Sequence, residues 1–349
     1  MVGVLAFAIA LIASASVTVP VRQFALRVDM VDRPNSRKIH VKPIPLLGGL
    51  AIYFGVLLAM VLLYSFGDEA MRQVLGILAG ATLVVLVGTL DDRGLLHHQV
   101  KLFVAMPLAG LILLGSGIHA EVFSVFFPGR AGTVADAALT VFWVTGITAS
   151  FSIFDYMDGL CAGVAAIAAF FFAVFAMLNG QVLVSTLAAA VMGAALGFLG
   201  WNFNPAKIFM GDGGAMFLGF LMATLALKLR MAGASHGARW LVPIFILGVP
   251  IFDTLMVSIS RSRRGLLPFT TPGKDHTGHR LANWGLGTRP AVLTMYAFAC
   301  FFGLLAFAVS RLNSVQVFVI GVLVAAAELA AVALLERAPY ERQADKNKL

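Results

Sequence analysis

Runs of about 20 apolar residues recur along this chain, and no other feature limits its fold as tightly. They lie near 2–21, 45–65, 73–90, 99–117, 138–154, 161–178, 182–200, 213–229, 239–259, 291–310 and 315–335, eleven in all. These segments lack the apolar–polar alternation of closed barrel strands. A helix satisfies its own backbone in hydrocarbon, so the expected fold is all-α, a polytopic transmembrane bundle of about 11 spans. Only 12% of the 349 residues are charged, about half the share in an ordinary soluble domain. No Lys or Arg precedes the first run, so it reads as a membrane helix, despite the Ala13-Ser14-Ala15-Ser16 stretch that imitates a cleavage site. Cys161 and Cys300 lie in or beside apolar runs and suggest neither a disulfide framework nor a CxxC metal site.

Charge placement sets an expected orientation. With the N-terminus periplasmic, the inner segments are 22–44, 91–101, 155–160, 201–212, 260–290 and 336–349, and they hold 19 of the 25 Lys and Arg. Arg72, Arg130, Lys228, Arg230, Arg239 and Arg311 fall on the other side. The positive-inside rule therefore puts the C-terminus in the cytoplasm. The same bias accounts for the net charge of +8 without nucleic acid, through topology and anionic partners. Residues 1–335 read as a single integral membrane domain and 336–349 as a short cytoplasmic tail. The outer segment 118–137, with Phe123, Phe126 and Phe127, suits the membrane interface.

Orientation was fixed without reference to Asp or His. Yet Asp91, Asp92, Asp155, Asp158, Asp212, His276 and His279 all fall on the expected inner side. Adjacent carboxylates at a membrane boundary repel one another and lose hydration, and a divalent cation or a bound proton relieves both costs. Mg²⁺ prefers oxygen ligands and is commonly held by one or two carboxylates together with substrate phosphates. Carboxylates beside basic Lys101 therefore suit a diphosphate bridged by Mg²⁺, with Mn²⁺ as the alternative. The glycines around Asp212 let a backbone approach a phosphate closely. Plainer readings stand beside these. Asp158 can cap the sixth helix, Asp212 can be a turn residue, and the histidines can belong to a solvated loop. Lys101 and the Arg261, Arg263, Arg264 run can be topology anchors. Asp253, inside the ninth run, is either a site residue or a helix-packing partner.

The motifs, in order, are Asp32-Arg33-Pro34-Asn35-Ser36-Arg37-Lys38-Ile39-His40 with Pro45-Leu46-Leu47-Gly48-Gly49, then Asp91-Asp92 with Lys101, then Asn204-Pro205 through Phe209-Met210-Gly211-Asp212, then Val249-Pro250-Ile251-Phe252-Asp253-Thr254, and last Asp275-His276 through His279-Arg280-Leu281. In these the chain resembles the polyprenyl-phosphate N-acetylhexosamine-1-phosphate transferases, the glycosyltransferase family 4 type that includes undecaprenyl-phosphate GlcNAc-1-phosphate transferases. The resemblance spans about residues 29–295. It implies attack of undecaprenyl phosphate on a UDP-N-acetylhexosamine, with UDP-GlcNAc the first choice of donor. UMP is released at the cytoplasmic face of the bacterial inner membrane, and cell-surface polysaccharide synthesis begins. It implies Mg²⁺ as cofactor and allows a homodimer. By resemblance, Asp91, Asp92 and Asp155 are catalytic, and Asp212 and Asp92 hold metal. Lys101, Ser152, Asp158, Asn204, His276, His279 and Arg280 bind substrate, and Arg37, Lys38 and His40 guide the lipid phosphate.

This chain departs from the family pattern in three places. Ala149 and Ser152 stand where the family has Asn, and Tyr156 replaces a Gly. Gly213-Gly214-Ala215 replaces Ser-Gly-Ser, and Thr277-Gly278 sits where a third His is common. An altered sugar pocket follows from these losses, with a non-catalytic relative as the alternative. A lipid or ion transporter is the competing class. Transporters place ionisable groups near the midplane on broken helices or repeats, whereas these acids lie at one edge and no repeat is visible.

Overall fold

A computed structural model describes residues 2–33, 43–63, 68–96, 98–267 and 273–338. Arg37, Lys38 and His40 lie outside the described residues. The chain folds as two compact units, Met1–Ala232 and Gly233–Leu349.

The first unit is built from α1 (Val2–Arg27), β1 (Val31–Asp32), β2 (Ile44–Pro45), α2 (Gly48–Leu63), α3 (Asp68–Asp92), α4 (Met106–Gly115), α5 (Arg130–Phe154), α6 (Leu160–Leu178), α7 (Val182–Asn202) and α8 (Gly211–Lys228). A π-helical turn, Lys101–Ala105, leads into α4, and a short helix, Phe123–Phe126, precedes α5. The second unit holds α9 (His236–Ile246), α10 (Gly248–Arg263), α11 (Thr277–Leu281), α12 (Thr288–Val309) and α13 (Ser314–Leu335). Among the described residues each apolar run is largely helical, although the run near 45–65 enters its helix only at Gly48. Among those residues seven helices (α1, α3, α5, α6, α7, α12 and α13) are long and apolar enough to cross a membrane. The ninth run is not one rod. It breaks between α9 and α10 with a bend of 74°, and the pair makes an eighth candidate. The protein is therefore an all-α, multi-pass membrane protein.

α8 is the centre of the first unit, buried from Gly213 to Ala226 and packed on α3, α5 and α2. Its start is placed by removal of side chains. A Cβ on Gly49 of α2 would collide with the backbone of Gly214, and one on Gly88 of α3 would stand 2.5 Å from Gly213 Cα. Only glycine lets three helices meet backbone to backbone there, which replaces side-chain interdigitation with close van der Waals contact. The backbone laces the same region. β1 and β2 pair antiparallel, Val31 opposite Pro45. Phe209 N–H donates to Pro45 O at 2.8 Å, and Gly48 and Gly49 N–H donate to Phe209 O and Met210 O at 3.0 and 2.9 Å. The segment entering α8 is thus stitched to the segment entering α2.

In the second unit α9 packs on α12 and α13, and α10 packs on α12. Phe245 stacks on Phe302, and Met256, Val332 and Leu335 form a small apolar cluster. Asn313 and Gln316 cap α13 reciprocally, satisfying amides that the first turn leaves open.

Gly49→Ala is expected to destabilise the purified protein by an amount typical of an overpacked core, about 1–3 kcal/mol, seen as a lower melting temperature. Gly200→Ala, whose added Cβ meets nothing within 4 Å, should leave the melting temperature unchanged. Equal melting of the two variants would refute the glycine contact.

Candidate active site

The glycine contacts bring the C-terminal end of α3 against the N-terminal end of α8, so Asp91 and Asp92 face Asp212. Gly211 is the joint between them. Its φ of +74° is a left-handed conformation, and a Cβ there would stand 2.5 Å from Asp92 Oδ2. Both conditions favour glycine.

The two adjacent aspartates do different work. Asp92 accepts the Asp212 N–H on Oδ1 at 2.8 Å and the Gly213 N–H on Oδ2 at 3.3 Å. Its carboxylate closes the exposed amides of α8, where the helix end carries partial positive charge. Asp91 instead accepts from Lys101 Nζ, at 2.6 Å to Oδ2. The same ammonium donates to Asp212 Oδ2 at 2.7 Å. The other oxygen of Asp212 accepts from Ser152 Oγ at 2.6 Å. Ser152 therefore keeps a polar link where the family pattern has Asn. Ala149 is buried and offers no side-chain hydrogen bond.

α5 ends at Phe154, and the next residues carry the remaining acids. Asp158 Oδ2 accepts from Asn204 Nδ2 and from Ala206 N–H, both at 3.0 Å. Asn202, which the sequence reading passed over, donates to Ile208 O and accepts the Gly159 N–H, both at 3.0 Å. Asp158, Asn204 and Asn202 together fasten the Asp155–Asp158 turn to the segment that precedes Asp212. Asp155 differs from them: among the described residues its carboxylate accepts no hydrogen bond. Burial first, then the charges of Asp212, Asp92 and Asp158, push it up to about 8. This end of the unit carries more negative charge than it neutralises, and it will take up a proton or a cation.

The donors fit Mg²⁺. Carboxylate and hydroxyl oxygens are its preferred ligands, and one or two carboxylates suffice when water and phosphate complete the sphere. Among the described residues no three His, Cys, Asp or Glu side chains form a ready metal cage.

The second unit contains its own polar network. Asp253 is fully buried. Its Oδ2 lies 2.8 Å from His276 Nδ1, and its Oδ1 accepts the Thr277 N–H at 2.8 Å. Asp253 is therefore a hydrogen-bond partner of the histidine motif. The His276 and His279 rings pack edge to face with centroids 6.3 Å apart. Arg261 and Arg264 are not only topology anchors: Arg261 Nη2 contacts Asp275 Oδ1 at 2.8 Å, and Arg264 Nη2 contacts Asp275 Oδ2 at 2.5 Å. Burial works to raise Asp275, but these two guanidinium groups hold it well below the usual carboxylate range. Arg280 is fully buried. It donates to Asp275 O, Leu335 O and Ser260 Oγ at 2.8, 2.9 and 2.7 Å, and it pairs with Glu336 at 2.9 Å. Its donors are directed at protein groups, which tie the histidine motif to α10 and to the end of α13.

The fold defines a multi-pass membrane protein with a cluster of carboxylates around one lysine at one end of its first unit. Residues 74–230 match the family model for glycosyl transferase family 4. A Bacillus subtilis protein named "Probable undecaprenyl-phosphate N-acetylglucosaminyl 1-phosphate transferase" is 36% identical over 86% of this chain and 83% of its own length. A decaprenyl-phosphate N-acetylglucosaminephosphotransferase of Mycolicibacterium smegmatis is 33% identical over 82% of this chain and 76% of its own. An undecaprenyl-phosphate alpha-N-acetylglucosaminyl 1-phosphate transferase of Yersinia pestis is 29% identical over 77% and 74%. The chain belongs to this family, the polyprenyl-phosphate N-acetylhexosamine-1-phosphate transferases.

Burial first, and the neighbouring His276 second, lower His279 from 6.5 to about 4. As pH falls through 6.5 the unfolded chain takes up that proton before the folded one does. Stability from this group is thus complete above 6.5 and is lost between 6.5 and 4. The melting temperature should fall across that window, and His279→Gln should make the fall shallower. An identical pH profile in the two proteins would refute the assignment.

Proposed function

We propose that this protein transfers N-acetylglucosamine 1-phosphate from UDP-GlcNAc to undecaprenyl phosphate. An oxygen of the lipid phosphate attacks the β-phosphorus of the nucleotide sugar. The bond from that phosphorus to the bridging oxygen breaks, and UMP departs with the electron pair. The product is a lipid diphosphate sugar, the start of a cell-surface polysaccharide. The observation that carries this reading is the meeting of Asp91, Asp92, Lys101 and Asp212 at one helix junction, in a chain of this family.

On this reading Asp212 and Asp92 hold Mg²⁺, with Mn²⁺ as the substitute. The ion supplies neutralisation of the diphosphate charge. Asp91 activates the lipid phosphate. Asp155, with no hydrogen bond to spend, is the further acid able to accept a proton. Lys101, Ser152, Asp158 and Asn204 shape the binding of the phosphates and the sugar, and His276 and His279 serve the nucleotide sugar. Arg280 acts by supporting that motif. Arg37, Lys38 and His40 guide the lipid phosphate. The Lys and Arg count supports a periplasmic N-terminus and a cytoplasmic site in a bacterial inner membrane. A homodimer is compatible with this arrangement.

Purified protein given UDP-GlcNAc, undecaprenyl phosphate and Mg²⁺ should release UMP, and chelation of the metal should stop it. Asp212→Asn and Asp91→Asn should each reduce the rate by at least about 100-fold, the scale for losing an electrostatic stabiliser or an acid–base group. UMP release that persists after chelation, or in Asp212→Asn, would overturn the proposal.

A further inference from the structure

Lys101 Nζ lies between two carboxylates, 2.6 Å from Asp91 and 2.7 Å from Asp212. Its side chain is 17% exposed, and those of Asp91 and Asp212 are 14% and 26% exposed. Coulomb attraction is strong where water is largely excluded. The ammonium is thus a counter-ion fixed at the point where two negative charges converge.

The partners around it are rigid. Asp91 and Asp92 end a 25-residue helix. Asp212 sits in the first turn of α8, which glycine contacts hold against α2 and α3. Ser152 occupies Oδ1 of Asp212, and two backbone amides occupy Asp92. Lys101 alone is a long, flexible side chain, and it opens a π-helical turn, an irregularity often found at functional positions. A divalent cation approaching Asp212 meets one oxygen held by a neutral hydroxyl and one held by an ammonium. With Lys101 Nζ 2.7 Å from Asp212 Oδ2, an ion bound at the usual magnesium–oxygen distance of about 2.0–2.1 Å would repel the ammonium strongly where water is largely excluded.

We infer that Lys101 is a tethered counter-ion that holds Asp91 and Asp212 in register and gives up its hold on Asp212 to the divalent cation. The inference rests on the metal reading proposed above. Exchange leaves Asp212 with a positive partner in both states. The ammonium moves from between the carboxylates to the edge of the site, where it can meet a phosphate. Ordering of the acids and readiness for an anionic substrate are then two positions of one side chain.

The test measures cation binding and lysine exposure, without turnover. Mn²⁺ affinity of the full chain in detergent is read from the paramagnetic resonance signal of free Mn²⁺. Lys101→Met should bind Mn²⁺ about tenfold more tightly than the wild type, because the ion no longer displaces a fixed charge. Without metal that variant should melt at a lower temperature, and Mn²⁺ should raise its melting temperature more than it raises the wild type's. In unsubstituted protein, amine-selective labelling read by mass spectrometry should show Lys101 protected without metal and more reactive with Mn²⁺. The labelling result stands even if the variant fails to fold. Mn²⁺ affinity unchanged or weakened by Lys101→Met, or Lys101 labelling unaffected by Mn²⁺, would overturn the exchange. No Mn²⁺ binding by either protein would overturn the metal reading itself.

Discussion

Three helices touching without side chains between them make the rest of this structure possible. Gly49, Gly88, Gly213 and Gly214 remove the atoms that would hold α2, α3 and α8 apart. The backbone of α8 can then begin within hydrogen-bond reach of a carboxylate at the end of α3. Any side chain at that junction would displace Asp212 from Asp92 by the width of a methyl group. Asp92 would then lose the two amides it accepts. At the departure Gly213-Gly214-Ala215, a Cβ on Gly213 would stand 2.8 Å from Thr89 Oγ1, and Ala215 is wholly buried.

Electrostatics explains why a junction this tight persists with five acids near it. Asp92 is satisfied by the start of a helix, Asp158 by an amide side chain and a backbone N–H, and Asp91 and Asp212 by one shared ammonium. Asp155 is left without such relief, and its raised affinity for a proton is the result. Asp155 apart, the acids are held by local partners, and Asp91 and Asp212 share theirs, so removing one should disturb the others through charge more than through packing.

Much of this was legible in the sequence, for physical reasons that also mark its limits. Apolar runs report helices because hydrocarbon forces the backbone to bond with itself, and among the described residues each expected run is largely helical. The break at Leu247 was not visible, because Gly248 and Pro250 are tolerated in membrane helices and do not by themselves announce a bend of 74°. The acids were found by their rarity in apolar surroundings, but their division of labour was not. Asp91 and Asp92 are identical neighbours in sequence, and only the position of the start of α8 separates a helix-capping carboxylate from one paired with Lys101. Asn202 escaped notice because its bonds are to backbone groups of Gly159 and Ile208, and such partners leave no compositional trace.

The arginines of residues 260–290 show how one residue type can serve two requirements. In the sequence they count as positive charge marking an inner loop. In the folded unit Arg261, Arg264 and Arg280 are matched to Asp275 and Glu336. The two uses do not conflict, because the orientation rule depends on Lys and Arg, and acidic residues contribute little to it. A loop can therefore carry its topological signal and still neutralise it internally. Arg280 adds a mechanical consequence. Its bonds to Ser260, Asp275 O and Leu335 O run from α10 through the histidine motif to the end of α13. The geometry of His276 and His279 is thus supported by a helix end 55 residues further along the chain, and a basic side chain resembling a phosphate ligand in sequence is a brace in the fold.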